Sequence, residues 1–453
     1  MIPAPLTQIA KWCGGNLLSG NERTLITRIS KDTRTIQSGD LYLGIRGEQY
    51  DGNAFVAQAA AVGAVAAIVD SETSTGLPDG FGIIRVKDSI VALQALAKMV
   101  RAEMKIRAVC ITGSNGKTST KDFTAEVLSS RFQTSRTPGN LNNHIGLPLT
   151  IVNTEPGTEA VVWEIGMSHP GEIEPLAKLA KPDIAIITNI GVAHIEYMGS
   201  REATAKEKGR LLEMLEPGGL AILNAQDNFS DELAKRTRAR VLRVGIESGE
   251  IRASTIQQSN DGSSFTIDTP SGRIETRITV PGLHMVLNGL FAIATGLEAG
   301  ISLADCAEAL SRTKLTGGRL EWKTIRDIHF LDDSYNANPD SMEAALATLA
   351  QIPSRGRKIA ALGRMGELGE HAESGYRRVG KKAAQLVDIL LTVGKEAAAM
   401  AKTARSEGLK NVVEAADTSE ASQWLREFVH EGDVVLVKGS RSAKMEHVIG
   451  NFQ

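Results

Sequence analysis

At 453 residues the chain exceeds one ordinary hydrophobic core, and roughly 150 residues per domain suggests about three domains. Hydrophobic residues at 42% and charged residues at 23% suit a globular chain with substantial cores, and a formal net charge of -2 gives no electrostatic reason to expect a nucleic-acid partner. The cysteines, Cys13, Cys110 and Cys306, are odd in number and far apart, which argues against a disulfide framework or a cysteine metal cluster and fits a reducing cytoplasm.

The N-terminal stretch MIPAPLTQIAKWCGG lacks a basic region followed by an apolar run, and no later segment approaches the ~20 apolar residues of a membrane span. A cytoplasmic chain is therefore expected. The first 80 or so residues mix short β-like pieces such as DLYLGIRG with an alanine-rich stretch, NAFVAQAAAVGAVAAIVD, which reads as helical, and together they suggest a small α/β unit. Six apolar runs follow: IRAVCITGS (106–114), AVVWEIGMS (160–168), DIAIITNIG (183–191), KIAALGRMG (358–366), DILLTVG (388–394) and DVVLVKGS (433–440). Runs of this kind ending in glycine or polar residues predict buried parallel strands, with ligands sought just past their carboxyl ends. Between 245 and 281 the alternating SFTIDTPSGRIETRITVPG predicts two half-buried antiparallel strands joined by a PSG turn, as an insertion or edge hairpin. A helical region runs to about 312, and KLTGGRLEW reads as a connector to a last α/β domain. The expected divisions are 1–84, 85–313 and 314–453.

The segment CITGSNGKTSTKD, at the end of the first of these runs, raises the question of phosphate binding. The common loop is G-x-x-x-x-G-K-[ST], whereas only Ser114 and Asn115 separate Gly113 from Gly116 here. Context decides the matter. The loop follows a strand and precedes a helical pattern with apolar positions 123, 127, 128 and 132, and Lys117 and Thr118 come directly after the second glycine. Glycines admit an anion close to the backbone, the helix N-terminus offers N–H groups with Ser119 in its first turn, Lys117 supplies charge and Thr118 a hydroxyl for Mg²⁺. A plain strand-to-helix turn explains the glycines but not this lysine and threonine.

Glu164 interrupts an apolar strand, so its carboxylate needs compensation, either from a salt bridge or from a bound cation. His194 lies just past another strand end, although an isolated histidine is more often structural. In SREATAKEKGRLLEML, Lys208 shares a helix face with Leu211, Leu212 and Leu215, whereas Lys206 sits with Gly209 and Arg210. Lys208 therefore points inward. It either snorkels to water or has a lowered pKa, as a phosphate partner or as an amine able to form a carbamate with CO₂, and periodicity does not choose. His284 and Asn288 stand four apart on a helical pattern, a spacing that suits a metal, an adenine edge or capping alike. FLDDSYNANPDSMEAAL offers a strand end, two acids and a helix that Asp340 or Ser341 would cap, a plausible ribose or substrate site.

Seven segments in order, TGSNGKTSTK, NLNNHIGLPLT, EIGMSHPGEI, TNIGVAHIEYMGSREATAKEKGRLLE, LDDSYNANPDSM, GRMGELGEHAESGYRRVG and VLVKGSRSAKME, resemble the Mur ligase family over nearly the whole chain. The resemblance implies an α/β protein of three domains: an N-terminal UDP-binding unit, a central phosphate-loop ATPase with a mostly parallel sheet and a C-terminal Rossmann-like domain. It implies an ATP-dependent ligase of peptidoglycan precursor synthesis that phosphorylates the terminal carboxylate of UDP-N-acetylmuramoyl-tripeptide and joins it to D-Ala-D-Ala. The DNPR motif of the relative that adds the third amino acid is absent, which favours the dipeptide-adding chemistry.

Residue by residue, the resemblance assigns Gly113, Ser114, Asn115, Gly116, Lys117, Thr118 and Ser119 to ATP. Glu164 and His194 would be further Mg²⁺ ligands beside Thr118, and a carbamylated Lys208 would hold a second Mg²⁺. Lys117, Lys208 and His194 then form the catalytic set. Asn288 would contact adenine, Arg319 the phosphates and Asp333 the ribose; Asp32, Thr33 and Arg34 the uridine nucleotide; Asn336 and Asn338 the substrate. A monomer is implied. Three positions depart from the family pattern: Asn53 where histidine often follows DG, Met285 where asparagine usually follows G-x-H, and Arg364 where aspartate is usual. Other readings are a relative with a different amino acceptor, of the folylpolyglutamate type among others, and a nucleotide-driven switch, which would leave Lys208 and the N-terminal unit unexplained.

Overall fold

A computed structural model describes residues 1–72 and 76–452. The chain forms two compact units, one from Met1–Cys110, Phe132–Gly166 and Glu174–Pro182, the other from Ile111–Arg131, Met167–Ile173 and Asp183–Gln453.

In the first unit a five-stranded sheet runs in the order Asn16–Ser19, Gly82–Arg85, Ala66–Val69, Leu41–Leu43, Ile29–Ser30, parallel except at its first, edge strand. Tyr42, Ala67, Val69 and Ile83 pack there against Val56 and Ala59. The alanine-rich stretch read as helical is a 3-10 turn over Gly52–Phe55 followed by an α-helix only over Val56–Ala61, and Ala66–Val69 is a strand. Helix propensity loses here for two reasons. Gly63 takes a left-handed φ of 116°, which ends the helix, and the four strand residues are all buried between two parallel neighbours. Alanine's preference for helix is a few tenths of a kcal/mol over its neighbours, which such burial easily overrides.

The second unit contains a parallel run of strands, Ile184–Ile187, Leu220–Asn224, Arg240–Ile246 and Ile251–Ser259, extended at the edge by the antiparallel strands Gly262–Thr269 and Gly272–Ile278. The predicted edge hairpin is present and gains a third strand, with a register shift between Ser254 and Gln257 where Thr255 adopts a φ of 51°. A separate six-stranded sheet is ordered Glu321–Ile325, Ile328–Asp333, Val434–Lys438, Lys358–Leu362, Ile389–Val393, Asn411–Ala415, parallel apart from its first strand. Phe330, Ile359, Leu391 and Val435 lie in the core beneath it. All six apolar runs contain strands. The cysteines are free and buried, and among the described residues no helix is long and apolar enough to cross a membrane.

Helix Pro339–Gln351 has Asn338 as its N-cap residue, and Ser341, one of the two residues expected, completes a capping box. Asn338 accepts from the Ser341 backbone, Ser341 Oγ in turn accepts from the Asn338 N–H at 3.0 Å, and Pro339 occupies the first turn where a missing N–H costs nothing. Asp340 is drawn away by longer-range partners, the Val192 N–H at 2.9 Å and the Arg378 guanidinium at 2.7 Å.

In the last sheet's helical layer, helices Ala372–Leu386 and Ala398–Ser406 meet at Gly380, where an added Cβ would come 2.4 Å from the Met400 carbonyl oxygen. Backbone cannot yield as a side-chain tip would. Gly380→Ala should lower stability by about 1–3 kcal/mol, read as a reduced urea midpoint.

Candidate active site

The loop 113–116 follows strand Arg107–Thr112 and opens helix Lys117–Ser129. Its shape is forced by its neighbours. Gly113 has a φ of 151°, and a Cβ there would sit 1.9 Å from Thr188 Oγ1; Gly116 has a left-handed φ of 79°, and a Cβ there would sit 2.5 Å from Asn288 Oδ1. Only glycine satisfies both the dihedral and the space.

The end of strand Ile184–Ile187 grips this loop. Thr188 Oγ1 donates to the Asn115 carbonyl at 2.6 Å, the Asn115 N–H donates to Asn189 Oδ1 at 3.0 Å, and the Gly191 N–H donates to Ser114 Oγ at 2.8 Å. Asn338 Nδ2 adds a fourth bond, to Asn115 Oδ1 at 2.8 Å. Thr188, Asn189 and Gly191 were missed as individual residues, although they occupy the carboxyl end of a predicted strand, where ligands and their supports belong. Lys117 curls back so that Nζ donates to the Gly113 carbonyl at 2.9 Å, which holds the ammonium at the loop. Thr118 and Ser119 are buried in the first helical turn.

Asn288, on helix Leu283–Glu298, packs against Gly116, and its amide points to Met285 Sδ at 3.7 Å. The departure at Met285 therefore puts a weak thioether acceptor where an asparagine would have offered an amide. His284, one turn before Asn288, has its pKa lowered to about 4, chiefly by desolvation, with Asp333 opposing and Lys438 assisting.

Lys208 lies inward as its helical face required, 1% exposed, while Lys206 is exposed. Burial pushes its pKa well below the lysine range, the Lys117 charge pushes it further, and Glu207 opposes. Glu207 is itself buried, with Oε1 accepting the Ile173 N–H at 2.9 Å, an inward acid the sequence reading did not single out. His194, with a left-handed φ of 59°, places Nδ1 2.6 Å from Glu367 Oε2. Through that close contact His194 holds the Glu367 carboxyl below its usual range, and Lys117 contributes a smaller lowering.

Farther along, the buried Lys438 ammonium pairs with Asp333 Oδ2 at 2.5 Å and donates to the Asn336 carbonyl at 2.9 Å. The Arg319 guanidinium lies 4.0 Å from the Tyr335 ring centroid, a cation–π stack that orients it. Just before it in the connector, Thr316 bonds through both N–H and hydroxyl to Asp122 Oδ2, each at 2.8 Å. Arg364 is exposed, and its carbonyl accepts from the Ser440 N–H.

In the first unit, Glu164 is 2% exposed; Oε1 accepts from Asn142 Nδ2 at 2.8 Å and its N–H donates to Thr137 Oγ1 at 2.9 Å. A neutral amide thus meets the buried carboxylate. Asp32 caps the turn Thr33–Thr35 and is bound in a fork by Arg34 Nε and Nη2 at 2.9 and 2.7 Å, which brings its pKa down to about 2. The departure at Asn53 is well accommodated. It is buried, its amide donates to Asp51 and Asp70, and its Oδ1 accepts the Asp70 N–H.

Among the described residues no three His, Cys, Asp or Glu side chains converge closely enough to form a metal site. Mg²⁺ needs no such cage, because it keeps waters and is commonly held by one or two protein groups with substrate phosphates. The oxygens of Thr118 and Glu164 suit a hard cation, and the imidazole of His194 is a softer donor.

A glycine-shaped phosphate loop on a mostly parallel sheet, followed by a second parallel sheet, defines a nucleotide-dependent α/β enzyme. Comparison with known proteins gives the family. Residues 25–106 match the Mur ligase family catalytic domain, 111–296 the Mur ligase middle domain and 318–441 the Mur ligase glutamate ligase domain. The chain is 36% identical to the UDP-N-acetylmuramoyl-tripeptide–D-alanyl-D-alanine ligase of Bacillus subtilis, covering 99% of this chain and 98% of that one. It superposes on a MurF crystal structure from Acinetobacter baumannii with a TM-score of 0.90 at 30% identity, over 99% and 98% of the two chains. It also superposes on the MurF ligase of Thermotoga maritima in complex with ADP, with a TM-score of 0.83 at 26% identity, over 94% and 96%. The chain belongs to the Mur ligase family and has its three-domain α/β architecture.

The left-handed dihedral and the Asn288 contact at Gly116 can be separated. Gly116→Ala should weaken ADP binding by about tenfold or more in a fluorescent-nucleotide titration, and the same substitution made in an Asn288→Ala background, where the collision is gone and the backbone strain remains, should cost less than it does in the parent chain.

Proposed function

We propose that the chain is an ATP-dependent ligase that joins D-Ala-D-Ala to UDP-N-acetylmuramoyl-tripeptide in peptidoglycan precursor synthesis. The observation that carries this reading is identity of 36% over essentially the full length of an enzyme named for that reaction. The intact loop around Lys117 supports the ATP half.

In this reading the terminal carboxylate of the tripeptide attacks the γ-phosphorus and ADP leaves with the bonding electrons. The amine of D-Ala-D-Ala then adds to the carbonyl of the acyl phosphate, and collapse of the tetrahedral intermediate expels phosphate and a proton. The chain's work is largely positioning and charge neutralisation. Loop amides of Gly113, Ser114, Asn115 and Gly116 with the Lys117 ammonium hold the phosphates, and Ser119 lies in the same helix turn. Asn288 meets adenine, Arg319 the phosphates and Asp333 the ribose. Asp32, Thr33 and Arg34 receive the uridine nucleotide, and Asn336 and Asn338 contact substrate. Thr118, Glu164 and His194 would hold Mg²⁺, and carbamylated Lys208 a second Mg²⁺; such cations offset the repulsion between two anions brought together. The domains are taken as 1–84, 85–313 and 314–453, and the protein as a cytoplasmic monomer.

The lowered pKa of Lys208 supports the carbamate, because only the neutral amine adds CO₂. As pH falls through that lowered value the amine takes up a proton and the carbamate is lost, so activity should decline on the acid side. Lys208→Ala should lose ligase activity and regain part of it with added short carboxylates; a fully active alanine variant removes Lys208 from the reaction.

Phosphate release from ATP should require both the UDP-linked tripeptide and D-Ala-D-Ala. Release that needs neither substrate would point to a nucleotide switch, and faster turnover with single amino acids than with the dipeptide would move the reading to another acceptor.

A further inference from the structure

The pairing of His194 with Glu367 joins residues far apart in the chain, and it concentrates backbone strain. Both residues are non-glycine yet left-handed, with φ of 59° and 57°. Such a conformation is strained for a residue with a Cβ and persists only where the surroundings impose it. The surroundings here are specific. Oε2 of Glu367 lies 2.6 Å from His194 Nδ1, the Glu367 carbonyl accepts the Glu196 N–H at 3.2 Å, and the Gly369 backbone presses so close to Glu196 that a Cβ would fall 2.9 Å from its Cγ. The segment 367–369 is thus docked on the turn carrying His194 through side chain, main chain and a glycine contact. An ordinary surface ion pair needs none of these. The pair also lies near enough to the phosphate loop for the Lys117 charge to act on the Glu367 carboxylate.

We propose that Glu367 is a positioning residue for His194: its carboxylate takes the proton-bearing Nδ1 edge, fixes the tautomer and ring orientation, and leaves Nε2 as the lone-pair nitrogen offered to the nucleotide site. A carboxylate behind a histidine is the usual device for fixing which nitrogen is free and for raising its basicity. This inference rests on the reading of His194 as a nucleotide-site residue.

The test uses the full chain labelled with ¹⁵N-histidine, at a pH where the ring is neutral, with His194→Gln assigning the signal. Wild type should show the Nδ1–H form. Glu367→Ala should move the signal toward the Nε2–H form preferred by free imidazole, while Glu367→Gln, whose amide oxygen still accepts, should retain the wild-type tautomer. A wild-type tautomer in folded Glu367→Ala overturns the proposal. Mn²⁺ binding with ADP present, followed by water proton relaxation, separates this result from the metal reading. Glu367→Ala should weaken Mn²⁺ by about 10- to 100-fold without changing ADP affinity in its absence, and no further in combination with His194→Ala. If His194→Ala alone binds Mn²⁺ as wild type does, the metal role of His194 falls, and the tautomer signal still decides the role of Glu367.

Discussion

The site depends on a steric constraint: the loop 113–116 runs so close to its supports that two positions cannot carry a Cβ. Close approach lets Thr188, Asn189, Gly191 and Asn338 bond to Ser114 and Asn115, and those bonds hold the loop in the form that keeps Lys117 curled over Gly113. The gripping groups are uncharged amides and hydroxyls. They set the shape without competing for the charge of the anion, so the positive ends of the helix and of Lys117 remain available. A loop ordered in this way needs little reorganisation when phosphate arrives.

Much of this was legible in the sequence because it follows from short-range rules. Runs such as DVVLVKGS announced buried parallel strands, and Lys208 announced its inward face by its place among Leu211, Leu212 and Leu215. The failures share a physical cause, which is that distant packing decided between local options of nearly equal energy. Ala66–Val69 has the composition of a helix and becomes a strand because two neighbouring strands bury it. Asp340 is as good a cap as Asn338, yet Val192 and Arg378 claim its carboxylate. Glu367 lies in a segment that carries the family resemblance, yet no role could be read for it there because its contact is with the distant His194.

Three titratable side chains sit in very different surroundings. Lys438 donates to Asp333 Oδ2 and to the Asn336 carbonyl. His194 is set against a carboxylate that remains partly hydrated. Lys208 is left with burial and a like charge acting against its proton, and the Glu207 carboxylate opposes them only in part. A lysine kept as a cation could serve as structure or as a phosphate contact. One whose burial favours the free amine is chemically different, because only the free amine is a nucleophile.

The shortened spacing of the loop has a related explanation. In G-x-x-x-x-G-K-[ST] the longer run can arch around phosphate by itself, whereas two residues between Gly113 and Gly116 span too little chain to do so. The missing enclosure has to come from elsewhere in the fold. Asn288 closes on Gly116 from one helix, the segment 188–191 lines the loop from the neighbouring strand, and Asn338 reaches Asn115 from beyond the connector. A short loop thus makes its own enclosure depend on residues separated by more than two hundred positions. That dependence suits an enzyme that should engage ATP productively only when its other elements are in place, and of the three departures only Met285 reaches the enclosure, through the Asn288 amide it accepts from, whereas Asn53 bonds to Asp51 and Asp70 and the Arg364 carbonyl to the Ser440 N–H.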